Sequence, residues 1–257
     1  MSRLENIPAV RCAAIAAMWL AGAPAARAIE DAPPPLLVAI VGDSTVATYD
    51  AASPVHGWGE FIQRRMRPRV LVHNFAAGGA STSSFLAEGR WDAALADKPS
   101  VVLIQFGHND SAQAASLGRF EANLERFVES ARACGATPIL VTPVQLRVFR
   151  DGKFVPSLQA YADAMRQLAA RAGVVVIDLN QLSGQLFVRL GPLKTAQLAS
   201  TGSDGTHFNR LGAQAMAEIV LRELSLARTP LAREIIAAPA PAPVTTTPKP
   251  SKLRRAN

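Results

Sequence analysis

The sequence predicts an α/β domain built on a five-stranded parallel sheet with helices on both faces. Three observations point there. Five short runs rich in Val, Ile and Leu recur at intervals too wide for hairpins. Amphipathic helical patterns, with apolar residues about every 3.6 positions, fill several of the gaps between them. Polar clusters stand just past the strand ends, where open parallel sheets place their functional crevices.

Taken in order, residues 1–28 read as an export signal rather than as part of the fold. Basic Arg3 and Arg11 accompany an apolar run, "CAAIAAMWLAGA", from Cys12 to Ala23, and small residues end the segment at Ala26-Arg27-Ala28, with cleavage expected after Ala28. That run falls short of the roughly 20 residues a spanning helix needs, and no later stretch is apolar enough, so no membrane span is expected after cleavage. The strands are expected at Leu36–Val41, Val70–Phe75, Val101–Phe106, Pro138–Thr142 and Val174–Leu179. Ahead of the fourth, "RFEANLERFVESARACG" puts Phe120, Leu124, Phe127, Val128 and Ala131 on one face, with Gly135 as the stop. Before the fifth, "SLQAYADAMRQLAARAG" repeats the scheme with Leu158, Tyr161, Met165 and Leu168, closed by Gly173. Asn209 is the expected N-cap of a last helix, "FNRLGAQAMAEIVLREL". The folded domain is therefore expected over 29–238. Residues 239–257 alternate Ala with Pro and end in basic residues, which cannot bury a core and read as a disordered, semi-extended tail.

Of the 257 residues 49% are hydrophobic and 18% charged, enough apolar material for one sizeable core. The net charge of +7 suggests nucleic acid until it is located: residues 1–28 and the last nine residues carry all but about one unit of it. A nearly neutral body lacks the phosphate-neutralising surface of a nucleic-acid binder. Cys134 is alone once Cys12 leaves with the signal, so no internal disulfide can form, and its place at an apolar helix end reads as a small buried hydrophobe. A secreted or periplasmic monomer is the resulting expectation.

The clusters past the strands are "GDST", "AAGGASTSS", "GHND" and, after the fifth strand and a longer excursion, "SDGTHFN". Acyl transfer through serine needs a hydroxyl, a base, a carboxylate that fixes the base's tautomer, and donors aimed at the developing oxyanion. Ser44 is the candidate nucleophile, with a helix expected to begin behind it and favour negative charge there. His207 is the candidate base, Asp204 three residues earlier its orienting carboxylate. The candidate oxyanion donors are the backbone N–H groups of Ser44 and Gly79 and the side-chain amide of Asn109. Activity is then expected to fall below about pH 6, where imidazole ordinarily protonates. His108 is a candidate for substrate contact or for a turn-stabilising role, and Ser81 and Ser84 for hydrogen bonds to substrate or for local turn bonds. Trp58 and Trp91 read as core residues ahead of stacking platforms for a substrate. Other chemistries lose their signatures: neither G-x-x-x-x-G-K-[ST] nor G-x-G-x-x-G is present, Val46 replaces the second glycine of a G-x-S-x-G elbow, and the four histidines show no metal-ligand spacing.

In order and content the four clusters resemble the SGNH (GDSL-type) hydrolases, over about residues 36–225. "GDST", "GWGEF", "GGASTSSFLAEGRW", "QFGHND", "VTP" and "DGTHFN" are most similar to the branch containing rhamnogalacturonan acetylesterases. The resemblance implies a three-layer α/β/α sandwich of flavodoxin-like type. It also implies a serine esterase that needs neither cofactor nor metal, and O-acetyl groups on an acidic plant cell-wall polysaccharide or its oligosaccharides as substrate. A broader-specificity lipase, thioesterase or lysophospholipase-like esterase is the alternative, and a non-catalytic carbohydrate-binding module a further one. Residues 182–203 match no part of the pattern.

Overall fold

The computed structural model describes residues 34–113 and 116–237. The expected export signal, 1–28, and the expected tail, 239–257, lie outside the described residues. Along the chain come β1 (Leu36–Gly42), β2 (Val70–Asn74), α1 (Thr82–Ala87), α2 (Arg90–Ala96), β3 (Val101–Gln105), α3 (His108–Ala112) and α4 (Leu117–Ala133). Then follow β4 (Thr137–Val141), β5 (Phe149–Arg150), β6 (Lys153–Phe154), α5 (Gln159–Ala172), β7 (Val175–Ile177), α6 (Leu179–Ala196) and α7 (Arg210–Leu226).

Five strands form one sheet in the order β2-β1-β3-β4-β7, each neighbouring pair parallel. The chain leaves β1 toward β2 and returns to place β3 on its other side, so strand order reverses at β1/β3. Gly42 and Gln105 are paired there, and the loops that follow them stand at this edge, the position where open parallel sheets place their functional crevices.

Both faces of the sheet are covered, which is why its strands read as unbroken apolar runs. Val38, Ile40, Val101, Leu103, Ile139 and Val141 pack with Trp58, Phe208, Met216 and Val220 on one side. Ala39, Val41, Val102, Ile104 and Leu140 pack with Phe85, Trp91, Phe127 and Met165 on the other. Trp58 and Trp91 are core residues; their indole N–H groups donate to Gln105 Oε1 (2.8 Å) and Ser130 Oγ (2.9 Å).

Three local expectations are corrected. The chain after β1 makes a single turn closed by Val46 N–H and Ala47 N–H on the Asp43 carbonyl, both at 3.1 Å, and no helix begins behind Ser44. The fifth sheet strand stops at Ile177 because Asp178 turns to cap α6, its side chain accepting from Gln181 N–H. Cys134 is exposed, since the C-cap of α4 carries it past the buried stripe that ends at Ala131. Residues 182–203 mostly continue α6, which kinks at Gly191 (φ 70°, ψ 173°) ahead of Pro192, a residue without an amide hydrogen. A two-stranded hairpin, β5–β6, was not legible in the sequence pattern.

Behind Ser44 the chain doubles back closely on itself: Trp58 N–H donates to Thr45 O at 2.9 Å and Gly59 N–H to Val46 O at 3.2 Å. A Cβ on Gly57 would lie 2.3 Å from Ala47 O and 2.4 Å from Val46 C, both backbone atoms. Gly57→Ala is expected to destabilise the fold by about 2–3 kcal/mol and lower Tm by roughly 4–12 °C, read by thermal unfolding followed by circular dichroism.

Candidate active site

The turn after β1 is fixed from beneath by buried hydrogen bonds. Asp43, fully buried, accepts at Oδ1 from Thr45 N–H (2.9 Å) and Thr45 Oγ1–H (2.7 Å). Gln105 Nε2 donates to Thr45 Oγ1 at 2.7 Å, and Gln105 Oε1 accepts from the Trp58 indole. On its other oxygen Asp43 meets His108 Nδ1 at 3.0 Å, while His108 Nε2–H donates to Val144 O at 2.9 Å. Burial alone would raise the Asp43 pKa, but the charge and hydrogen bond of His108 and the bonds from Thr45 hold it below the ordinary carboxylate value. This corrects the expectation of substrate contact for His108: the ring is buried and both nitrogens are committed, so it supports the nucleophile's turn from below.

On that turn Ser44 is 8% exposed, and its Oγ lies 3.0 Å from His207 Nε2. His207 Nδ1 lies 3.0 Å from Asp204 Oδ2. Asp204 Oδ1 accepts from the N–H groups of Thr206 and His207, each at 2.8 Å, and Oδ2 from Ser200 Oγ–H at 2.7 Å. Burial opposes ionisation of Asp204; the bonds from Ser200, His207 and Thr206 outweigh it and hold the carboxyl well below the usual carboxylate range. An ionised carboxylate only accepts, so the hydrogen sits on Nδ1 and the Nε2 lone pair faces the Ser44 hydroxyl. The loop carrying both residues is tied down on its flanks, by Ser200 N–H on His207 O (3.0 Å) and His56 N–H on Phe208 O (2.8 Å).

Gly79 adopts φ +76°, a conformation that favours glycine, and a Cβ built there meets nothing within 4 Å, so its backbone borders open space. Among the described residues no acceptor meets the N–H of Ser44 or of Gly79. Asn109, at the start of α3, donates one Nδ2 hydrogen to Ala80 O at 3.0 Å, and the other meets no acceptor among the described residues. The two donor loops are further coupled through Asp110, which accepts at Oδ1 from Thr82 N–H (3.0 Å) and Thr82 Oγ1–H (2.6 Å), with burial pushing its carboxyl pKa up. Tyr49, missed in the sequence, lies between two of these loops: its hydroxyl donates to Ser44 O at 3.0 Å and would sit 3.9 Å from a Cβ on Gly78.

Ser81 and Ser84 do not stand free for a sugar, which corrects that expectation. Ser81 is the N-cap of α1, its Oγ accepting from Ser84 N–H at 3.3 Å while Ser84 Oγ accepts from Ser81 N–H at 3.0 Å. Such a reciprocal cap satisfies amide groups that a helix start otherwise leaves open. The local alternative is thus the one the geometry shows. Among the described residues no group of three or more His, Cys, Asp or Glu side chains gathers to hold a metal ion.

The chain matches the model of the GDSL-like Lipase/Acylhydrolase family over residues 40–215. It is 34% identical over 208 residues to the probable rhamnogalacturonan acetylesterase YesY of Bacillus subtilis, covering 77% of this chain and 96% of that protein. To the rhamnogalacturonan acetylesterase RhgT of the same organism it is 34% identical over 220 residues, 79% of this chain and 95% of that one. Among solved structures it resembles protein YxiM of Bacillus subtilis with a TM-score of 0.68 and 28% identity, over 75% of this chain and 56% of that chain.

Proposed function

Since the chain belongs to the GDSL-like lipase/acylhydrolase family, we propose that it is an exported serine esterase that removes O-acetyl groups from carbohydrate, with rhamnogalacturonan-type pectin as its substrate. One observation carries the reading: the unbroken line from Ser44 Oγ through His207 to Asp204, at 3.0 Å and 3.0 Å, beside unpaired N–H groups at the open end of the sheet. The names borne by the two Bacillus relatives support the substrate class, and the composition of residues 1–28 supports export.

In this mechanism Ser44 Oγ attacks the acetyl carbonyl as its proton passes to His207 Nε2. The oxyanion that forms is held by the N–H groups of Ser44 and Gly79 and by the free Asn109 hydrogen. His207 then gives its proton to the departing sugar oxygen, which leaves an acetyl-serine. Water, activated by the same imidazole, releases acetate and restores the hydroxyl. Asp204 stays ionised throughout, stabilising the imidazolium that forms at each attack.

Acetate release from acetylated rhamnogalacturonan, acetylated xylan and a synthetic acetate, set beside a synthetic octanoate ester, tests the assignment. Fastest turnover on the pectin fragment is expected. A preference for octanoate overturns the carbohydrate reading, and failure of a fluorophosphonate probe to label Ser44 overturns the esterase reading. Asn109→Ala is expected to fold and to lose about 10²–10³ in kcat, the usual loss for one oxyanion donor, measured on the synthetic acetate.

A further inference from the structure

Arg147, in the loop after β4, is a buried cation to which no carboxylate among the described residues is bonded. It is 9% exposed, and none of the ion pairs among the described residues includes it. Its polar contacts converge on one short segment. Nη2 donates to Asp204 O at 2.8 Å and His207 O at 2.6 Å, and Nη1 to Thr206 O at 3.3 Å. Its own backbone N–H donates to Gly205 O at 2.8 Å, so four successive carbonyls, 204–207, are bound by a single residue. The guanidinium carbon stands 4.2 Å from the centre of the Phe208 ring, and Nε has no hydrogen-bond partner among the described residues. Desolvation pushes the guanidinium pKa down to about 10, against the opposing charge of Asp204.

This is an expensive way to hold a loop. Burying a charge is costly even when it is hydrogen-bonded, and well-packed apolar side chains in such places are often neutral or stabilising. What an apolar side chain cannot do is fix the direction of the three carbonyls, of Asp204, Thr206 and His207, that the guanidinium binds. The planar fork of arginine can, because its donors lie at set angles. The segment so fixed carries both the imidazole and the carboxylate that orients it.

We propose that Arg147 is a positioning residue for hydrolysis, setting the backbone of 204–207 so that His207 Nε2 meets Ser44 Oγ. The proposal rests on the reading of Ser44, His207 and Asp204 as the catalytic set. Displacement of a catalytic group by about 1 Å costs on the order of 10² in rate, so the loss belongs in kcat, with KM little changed.

The test uses Arg147→Met, Arg147→Lys and Arg147→Ala in the full chain, with Tm, kcat and KM measured on a synthetic acetate. Arg147→Met is expected to hold its Tm within a few degrees of the parent and to lose about 10² in kcat. Arg147→Lys, which keeps the charge but not the fork, is expected to fold and remain impaired in kcat. Methylguanidinium added to Arg147→Ala is expected to restore part of its kcat, which a merely structural role would not allow. Parental kcat in Arg147→Met or Arg147→Lys overturns the proposal, and so does a loss of kcat that only follows a loss of Tm and resists methylguanidinium. Labelling of the parent by a fluorophosphonate separates the two readings. An unlabelled parent sinks the esterase assignment, whereas a labelled parent beside a fully active Arg147→Met sinks the role of Arg147 alone.

Discussion

Ser44→Ala is expected to lower kcat on an acetyl ester by about 10⁴–10⁶ and leave the fold intact. The size follows from what the hydroxyl does: it is the atom that forms the acyl bond, and the residual rate would come from the oxyanion donors and substrate binding alone. The intact fold follows from where the turn is anchored. Asp43, Thr45, Gln105 and His108 hold it in place, whereas the Ser44 hydroxyl bonds only to His207 Nε2 among the described residues. Steady-state rates on a synthetic acetate, with circular dichroism of the same sample, decide the matter. A variant that kept a tenth of the parental rate with parental structure would show that Ser44 is not the nucleophile.

Asp204→Asn is expected to lose about 10⁴ in kcat with KM little changed. The amide oxygen can still accept from the N–H groups of Thr206 and His207, so the loop keeps its shape. The amide nitrogen would then replace Oδ2, the oxygen that faces Ser200 Oγ and His207 Nδ1. A donor in that place selects the imidazole tautomer bare at Nδ1 and protonated at Nε2, which cannot take the serine proton. The same variant reports on acid stability. A carboxyl held below its unfolded value, about 3.9, stabilises the native state above that value and loses the contribution as pH falls through its lower folded value. Below about pH 4, therefore, the parent should lose Tm more steeply than Asp204→Asn, as thermal melts across that range would show.

Other buried groups have their place in the framework around the site. The chain of bonds from Trp58 through Gln105 and Thr45 to Asp43 and His108 ties β1 to the segment at 58 and to the start of α3. Asp110 and Thr82 tie α3 to α1. A site whose groups must be held to a fraction of an ångström gains from such support, because each side chain's position is set by packing and partners rather than by its own rotamer alone.

The sequence by itself determined the layers. Runs such as Val101–Gln105 are apolar at nearly every position because both faces of the sheet are covered. The helix at 117–133 was legible from its buried stripe, and Asn209, Gly135 and Gly173 marked ends that local backbone conformation imposes. Chain order also put the polar clusters at one edge, since every parallel strand delivers its carboxyl end to the same rim. All of these follow from periodicity and short-range sterics, which act within a few residues. Only the tertiary structure decided how polar groups were shared out. His108 turned inward to Asp43, Ser81 and Ser84 capped each other's helix start, and no helix formed behind Ser44. Arg147 showed in the sequence only as a charge inside the apolar stretch "PVQLRVF", with nothing to say that it reaches carbonyls 57 to 60 positions away. A hydrogen-bonding side chain has several partners of similar strength within reach of an unfolded chain; which one it keeps is fixed by the packing that brings distant segments together and excludes water from them.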